Sequence, residues 1–130
     1  MLSERPPSAG TGGPHTLHML PADRWAAWRD GPVGARYEPE GFAADGFVHC
    51  TDGAEQMVAT ANRYYRADPR AFVVLELDLA SVGAPWRYDD AGRRYPHVYG
   101  PLARAGVRSV ASFLRAPDGM FTTIGEASPA

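Results

Sequence analysis

The sequence predicts an α+β fold, a mostly antiparallel β-sheet with two helices. Three observations carry this. Apolar runs of strand length recur along the chain, two segments place apolar residues at helical spacing, and Gly- or Pro-marked turns separate them. At 130 residues the chain is long enough for one domain with its own core.

The elements follow in order. Residues 1–14 are rich in Pro, Gly and Ser and are expected to be a disordered tail. The domain itself is expected over 15–124, with a second tail at 125–130. A first strand spans Thr16 to Leu20. Pro21 opens a helix from Ala22 to Asp30, whose Trp25 and Trp28 share an inward face. Gly31-Pro32 ends it. An extended piece at Ala35 to Glu38 leads into a Pro- and Gly-marked loop. Phe47 to Cys50 is the next strand. Asp52, with Glu55 three residues on, reads as a capping box for a helix from Gly53 to Arg66. Met57, Val58, Ala61, Tyr64 and Tyr65 follow helical spacing, and one of the two tyrosines is expected in the core. Asp68-Pro69 breaks that helix.

Ala71 to Leu79 is the clearest strand. Its Phe72-Val73-Val74-Leu75 run is apolar on both faces, which predicts a central place in the sheet. Trp86 to Tyr88 and Arg94 to Val98 flank Asp89-Asp90-Ala91-Gly92, a hairpin turn. Val107 to Leu114 and Met120 to Thr123 complete the sheet around a turn at Pro117-Asp118-Gly119.

Composition excludes several classes. Net charge is −2, and a general nucleic-acid binder needs a basic footprint. All thirteen basic residues are arginine, whose planar fork suits a phosphorylated small molecule in a local pocket. Cys50 is alone, so the chain has neither an internal disulfide nor a cysteine-based zinc site. The first residues lack the apolar core of a signal peptide. No apolar run reaches the ~18 residues that span a bilayer. A soluble, cytoplasmic protein is expected, with no membrane partner.

Three of the four histidines sit in distinctive settings: His18 in Thr16 to Leu20, His49 in Gly46 to Thr51, and His97 in Tyr95 to Pro101. Imidazole titrates near neutral pH and serves as acid, base or ligand. Any one of them alone reads as a hydrogen-bonded structural residue; together they point to a shaped pocket. Alternation along a strand puts Phe47, His49 and Thr51 on one face and Val48 and Cys50 on the other, so Cys50 reads as core and not as a nucleophile. His97 and Tyr99 share a face. Arg63 is a candidate ligand contact; Arg66 lies where a helix C-terminus favours a cation anyway.

The phrases Leu17-His18-Met19, Gly46 to Thr51, Ala61 to Tyr65 and Tyr95 to Leu102 resemble, in order and spacing, the signature of the domain-of-unknown-function family 952, over residues 15–123. That family is distantly similar to the ADP-ribosyltransferase superfamily, and within it to RNA 2′-phosphotransferases, which use NAD. The likeness implies a split sheet with NAD in its cleft. His18 matches the histidine of the first strand, and His49-Cys50-Thr51 the His-x-Ser/Thr step of the second. His97 stands where many ADP-ribosyltransferases carry a catalytic glutamate, a departure from the pattern.

The resemblance thus implies catalytic roles for His18, His49 and His97, and NAD contacts from Thr51, Arg63, Tyr65 and Tyr99. Arg66 is a further phosphate candidate. Two other readings stand beside it. One is a non-enzymatic module that binds a nucleotide or other small ligand in the same pocket. The other is a three-histidine metal centre, although no metal is favoured because the helical His-x-x-x-His spacing is absent.

Overall fold

The structure is a computed structural model, and it describes residues 13–130. The expected disordered tail therefore lies almost wholly outside the described residues. At its end Gly13 and Pro14 are already bound to the domain. The Gly13 N–H donates to Asp78 Oδ1 at 2.8 Å, and the Pro14 carbonyl accepts from Leu79 N at 2.9 Å.

The fold is α+β, with antiparallel sheets and three helices. Its elements are β1 (His15–Pro21), α1 (Ala22–Asp30), α2 (Phe42–Asp45), β2 (Val48–His49), α3 (Ala54–Tyr64), β3 (Phe72–Asp78), β4 (Trp86–Tyr88), β5 (Pro96–Val98), β6 (Val107–Arg115), β7 (Phe121–Ile124) and β8 (Ser128–Pro129). A five-stranded sheet runs β1-β3-β6-β7, with β8 also paired to β6; a three-stranded sheet runs β2-β5-β4. Leu17 and Thr51 bridge the two sheets by reciprocal backbone hydrogen bonds of 3.0 and 2.8 Å.

As its apolar run predicts, β3 is central, paired on both edges by β1 and β6. Strand alternation divides the core in two. Leu20, Leu75 and Leu77 pack with Trp25 and Trp28 of α1 and with Val48 and Val98 of the small sheet. Met19, Phe72 and Val74 pack with Met57 and Ala61 of α3 and with Phe113 and Phe121. Burying such side chains supplies about 1.5–3 kcal/mol each before entropy is counted, so the two clusters fix how the helices and the small sheet sit against β1 and β3.

Four expectations need correction. The third helix, α2, falls in the expected loop; its four residues are too few to show a periodicity, and Gly41 and Gly46 flank it at φ 83° and 80°, conformations glycine adopts without strain. The capping box is absent. Gly53, not Asp52, precedes α3, and no side chain caps it. Asp52 instead accepts from the Thr16 hydroxyl at 2.7 Å and from the Tyr88 hydroxyl, tying β1 to β4. Neither Tyr64 nor Tyr65 enters the core; they are 69% and 38% exposed, because Met57 and Ala61 already fill the inward face. Finally, the expected C-terminal tail contains β8, whose Ser128 and Pro129 pair with Val110 and Ser109.

Candidate functional site

Four neighbouring parts of the fold build one cleft of about 620 Å³. β1 contributes His18. The loop through α2 and β2 contributes Glu40, Asp45, His49 and Thr51. The β4–β5 hairpin contributes Asp89 and His97, and Arg63 and Tyr65 of α3 and its C-terminal end line the cleft together with Arg70 and Tyr37.

His49 and His97 are direct cross-strand partners in the β2–β5 pair, with ring centroids 5.5 Å apart. Each is held by its own carboxylate. The His49 Nε2–H donates to Asp45 Oδ2 at 2.9 Å, and the His97 Nδ1–H donates to Asp89 Oδ2 at 2.8 Å. Carboxylates accept only, so these bonds fix the tautomers. In the neutral rings the lone pair lies on Nδ1 of His49 and on Nε2 of His97. Phe47 stacks on the His97 ring at 3.8 Å and 16° and also touches His49.

Asp89 is itself fixed by three donors: the Tyr99 hydroxyl, the Arg87 guanidinium and His97. They hold its carboxyl down at about 2, the Tyr99 bond acting most strongly. It is therefore a permanent anion beside His97.

His18 differs from the other two. It is 5% exposed on the inner face of β1, and its Nδ1–H donates to the His49 carbonyl at 2.7 Å. Burial lowers its pKa to about 4, against an opposing effect of that backbone bond. It is thus neutral at physiological pH, with the lone pair on Nε2. That atom is buried and has no hydrogen-bond partner among the described residues.

Of the sequence-predicted residues, the structure brings His18, His49, His97, Thr51, Arg63 and Tyr65 to the cleft. Thr51 is 3% exposed and serves the backbone bridge to β1. Tyr99 is not among the lining residues. Its hydroxyl anchors Asp89 and its ring lies under Arg87, so it acts behind the wall. Arg66 is also elsewhere, paired to Asp118 at 3.2 Å. Cys50 is buried, and burial raises its thiol pKa far above the usual range.

Sequence reasoning missed Asp45, Asp89, Arg70, Tyr37 and Glu40. Asp45 had a legible signal, four residues before His49. Asp89 reads as a turn residue, and only the fold places it beside His97. Arg70 donates to both Glu40 oxygens at 3.0 Å and to Asp68 at 2.8 Å, so its charge is already committed. Arg63 makes no ion pair among the described residues. No group of three or more His, Cys, Asp or Glu residues among the described residues is arranged to hold a metal ion. No helix there is long and apolar enough to cross a membrane.

Residues 19–110 match the family described as Protein of unknown function (DUF952). The chain belongs to this family. The DUF952 match runs from within β1 to within β6 and takes in every lining residue named above except His18, which lies one position before it. Among solved structures the chain is similar to the crystal structure of protein CC0527 from Caulobacter crescentus, at 27% identity and a TM-score of 0.63, over 84% of this chain and 94% of that one. A double-mutant form of the same protein gives the same values. The solution NMR structure of CC0527 is 28% identical with a TM-score of 0.60, over 83% and 91% of the two chains. No curated protein matches. The DUF952 description assigns no function.

Proposed function

We propose that this DUF952 protein binds a small polar ligand in the cleft and acts on it by proton transfer through His49 and His97. One observation carries the reading: two histidines directly opposite each other, each oriented by a separate carboxylate, on the wall of one cleft. A carboxylate on one ring nitrogen fixes the tautomer and stabilises the imidazolium that forms when the other nitrogen takes a proton. General acid–base catalysis of this kind is worth roughly 10²–10⁴ in rate.

In its most specific form the reading is NAD-utilising transfer, of the kind the ADP-ribosyltransferase resemblance implies. When bound, NAD supplies a glycosidic bond whose cleavage needs no metal. The cleft volume lies within the ~300–1,000 Å³ usual for ligand sites. The three imidazoles suit a flat ring, and Arg63, which makes no ion pair among the described residues, offers a cation to a phosphate. The balance of charge limits affinity. Glu40, Asp45, Asp89 and Asp90 line the cleft against Arg63 and Arg70, and Arg70 is already neutralised. A pyrophosphate would rest on Arg63 alone.

A second reading, a module that binds its ligand unchanged, has its own support. The Cys50 thiol and the Thr51 hydroxyl beside the histidines are both buried, so neither is poised for covalent attack. Calorimetric titration with NAD, followed by chromatography of the same sample for nicotinamide, separates the readings. The transferase reading expects heat and released nicotinamide, the release lost in a folded His49→Ala. Heat without nicotinamide favours the binding module. No heat up to millimolar NAD removes NAD as the ligand.

A further inference from the structure

The one buried side-chain polar atom left unpaired among the described residues is His18 Nε2, and it belongs to a residue that lines the cleft. Native proteins rarely leave such an atom empty, because an unmade buried hydrogen bond costs as much as its desolvation. The ring cannot turn to relieve this. Its Nδ1–H is spent on the His49 carbonyl at 2.7 Å; a flipped ring would put a C–H in that place, and the other tautomer would set a bare nitrogen against that oxygen. Protonation would supply no partner either, since the site shields the charge from water. His18 therefore presents a fixed lone pair, an acceptor and never a donor.

From this we infer that His18 is the specificity-determining acceptor of the site, and that the ligand carries a neutral N–H donor, such as a carboxamide, that bonds to Nε2. The inference deepens the ligand-pocket reading and rests on it. It separates the roles of the three histidines: His49 and His97 exchange protons, while His18 reads the ligand. The surroundings agree. Tyr37 meets the His18 ring edge-on at 6.1 Å, and Nε2 itself is buried in the cleft wall. A carboxylate or phosphate there would face a lone pair and be rejected; an amide would fit. The His18 bond to the His49 carbonyl also ties occupancy at Nε2 to the strand that positions His49.

Nicotinamide and methyl nicotinate test this directly, because they share a ring and differ in the N–H donor. The full chain, labelled with nitrogen-15, is titrated with each while the histidine ring nitrogens are observed. The expected result is a bare Nε2 on His18 in the free protein, a shift of that signal on adding nicotinamide, and none with methyl nicotinate. A His18→Phe variant, which removes the acceptor, should bind nicotinamide about ten-fold more weakly, the effect of one hydrogen bond. His18→Gln, which keeps an acceptor oxygen, should recover part of that. An Nε2 already hydrogen-bonded in the free protein would overturn the inference, since a trapped water or Tyr37 would then fill the place. So would equal shifts with both compounds, or no shift with either. The test reads binding at one atom. A shift at His18 without turnover of NAD would sustain the inference while the catalytic reading fails.

Discussion

His97 Nδ1 and Asp89 Oδ2 lie 2.8 Å apart across the β4–β5 hairpin, and Asp89 is at the same time the acceptor for Tyr99 and Arg87. A carboxylate with three donors is well oriented and stays ionised, so it can hold one imidazole tautomer through a catalytic cycle. His49 has a simpler holder, Asp45, in a four-residue helix between two glycines. The two histidines thus have unequal support, and their variants should behave differently.

Replacing Asp89 with Asn should leave the fold intact and lower turnover by about ten- to a hundred-fold through misorientation of His97. Circular dichroism and turnover measured on the same preparation check this. The sign of the stability effect follows from its pKa of about 2, lowered from an ordinary 3.8. The depressed carboxyl stabilises the fold above the unfolded value, and the contribution is lost as pH falls from about 4 through 2. The Asn variant should lack that acid dependence.

His18 predicts a dependence in a different window. Its folded pKa is about 4 and its ordinary value 6.5, so between those values the unfolded chain binds a proton that the fold excludes. The stability due to neutral burial is complete above 6.5 and is lost as pH falls towards 4. At about 1.4 kcal/mol per unit, the loss should reach a few kcal/mol. Urea unfolding at pH 7 and at pH 4.5 measures it, and His18→Gln should flatten the difference.

Gly46→Ala should cost about 1–2 kcal/mol, because its φ of 80° places an L-residue in the left-handed region. An added Cβ there meets nothing within 4 Å, so the cost is one of backbone conformation and not of collision. If the turn relaxes, Asp45 moves off His49. A lower melting temperature together with a changed His49 ring-nitrogen signal is the expected outcome.

Cys50 should be silent to thiol reagents in the native protein and react fully on unfolding. It is 2% exposed and burial raises its thiol pKa, so little thiolate is present at neutral pH. Stoichiometric labelling in buffer, monitored by intact mass, would contradict both the burial and the exclusion of Cys50 as a nucleophile.

Much of this was legible in the sequence, for identifiable reasons. The strand alternation that separates His49 from Cys50 is local, and so is the doubly apolar run that makes β3 central. The helical spacing of Trp25 and Trp28 is local too. What escaped was long-range. Asp52 has the look of a helix cap, yet Thr16 and Tyr88, both 36 residues away, claim its carboxylate. Asp89 looks like a turn residue until the hairpin folds it beside His97. Tyr99 shares a strand face with His97 by alternation, but Asp89 holds its hydroxyl away from the cleft. The two tyrosines after Arg63 fit a core pattern and lose their place to Met57 and Ala61.

The central claim is that the His49–His97 pair serves a ligand site that accepts NAD. Calorimetric titration of the full chain with NAD, with nicotinamide measured in the same sample, tests it most directly. The account predicts saturable heat and nicotinamide release in the native protein, with release abolished in His49→Ala and His97→Ala variants that remain folded. No heat up to millimolar NAD, or release undiminished in both variants, would contradict it.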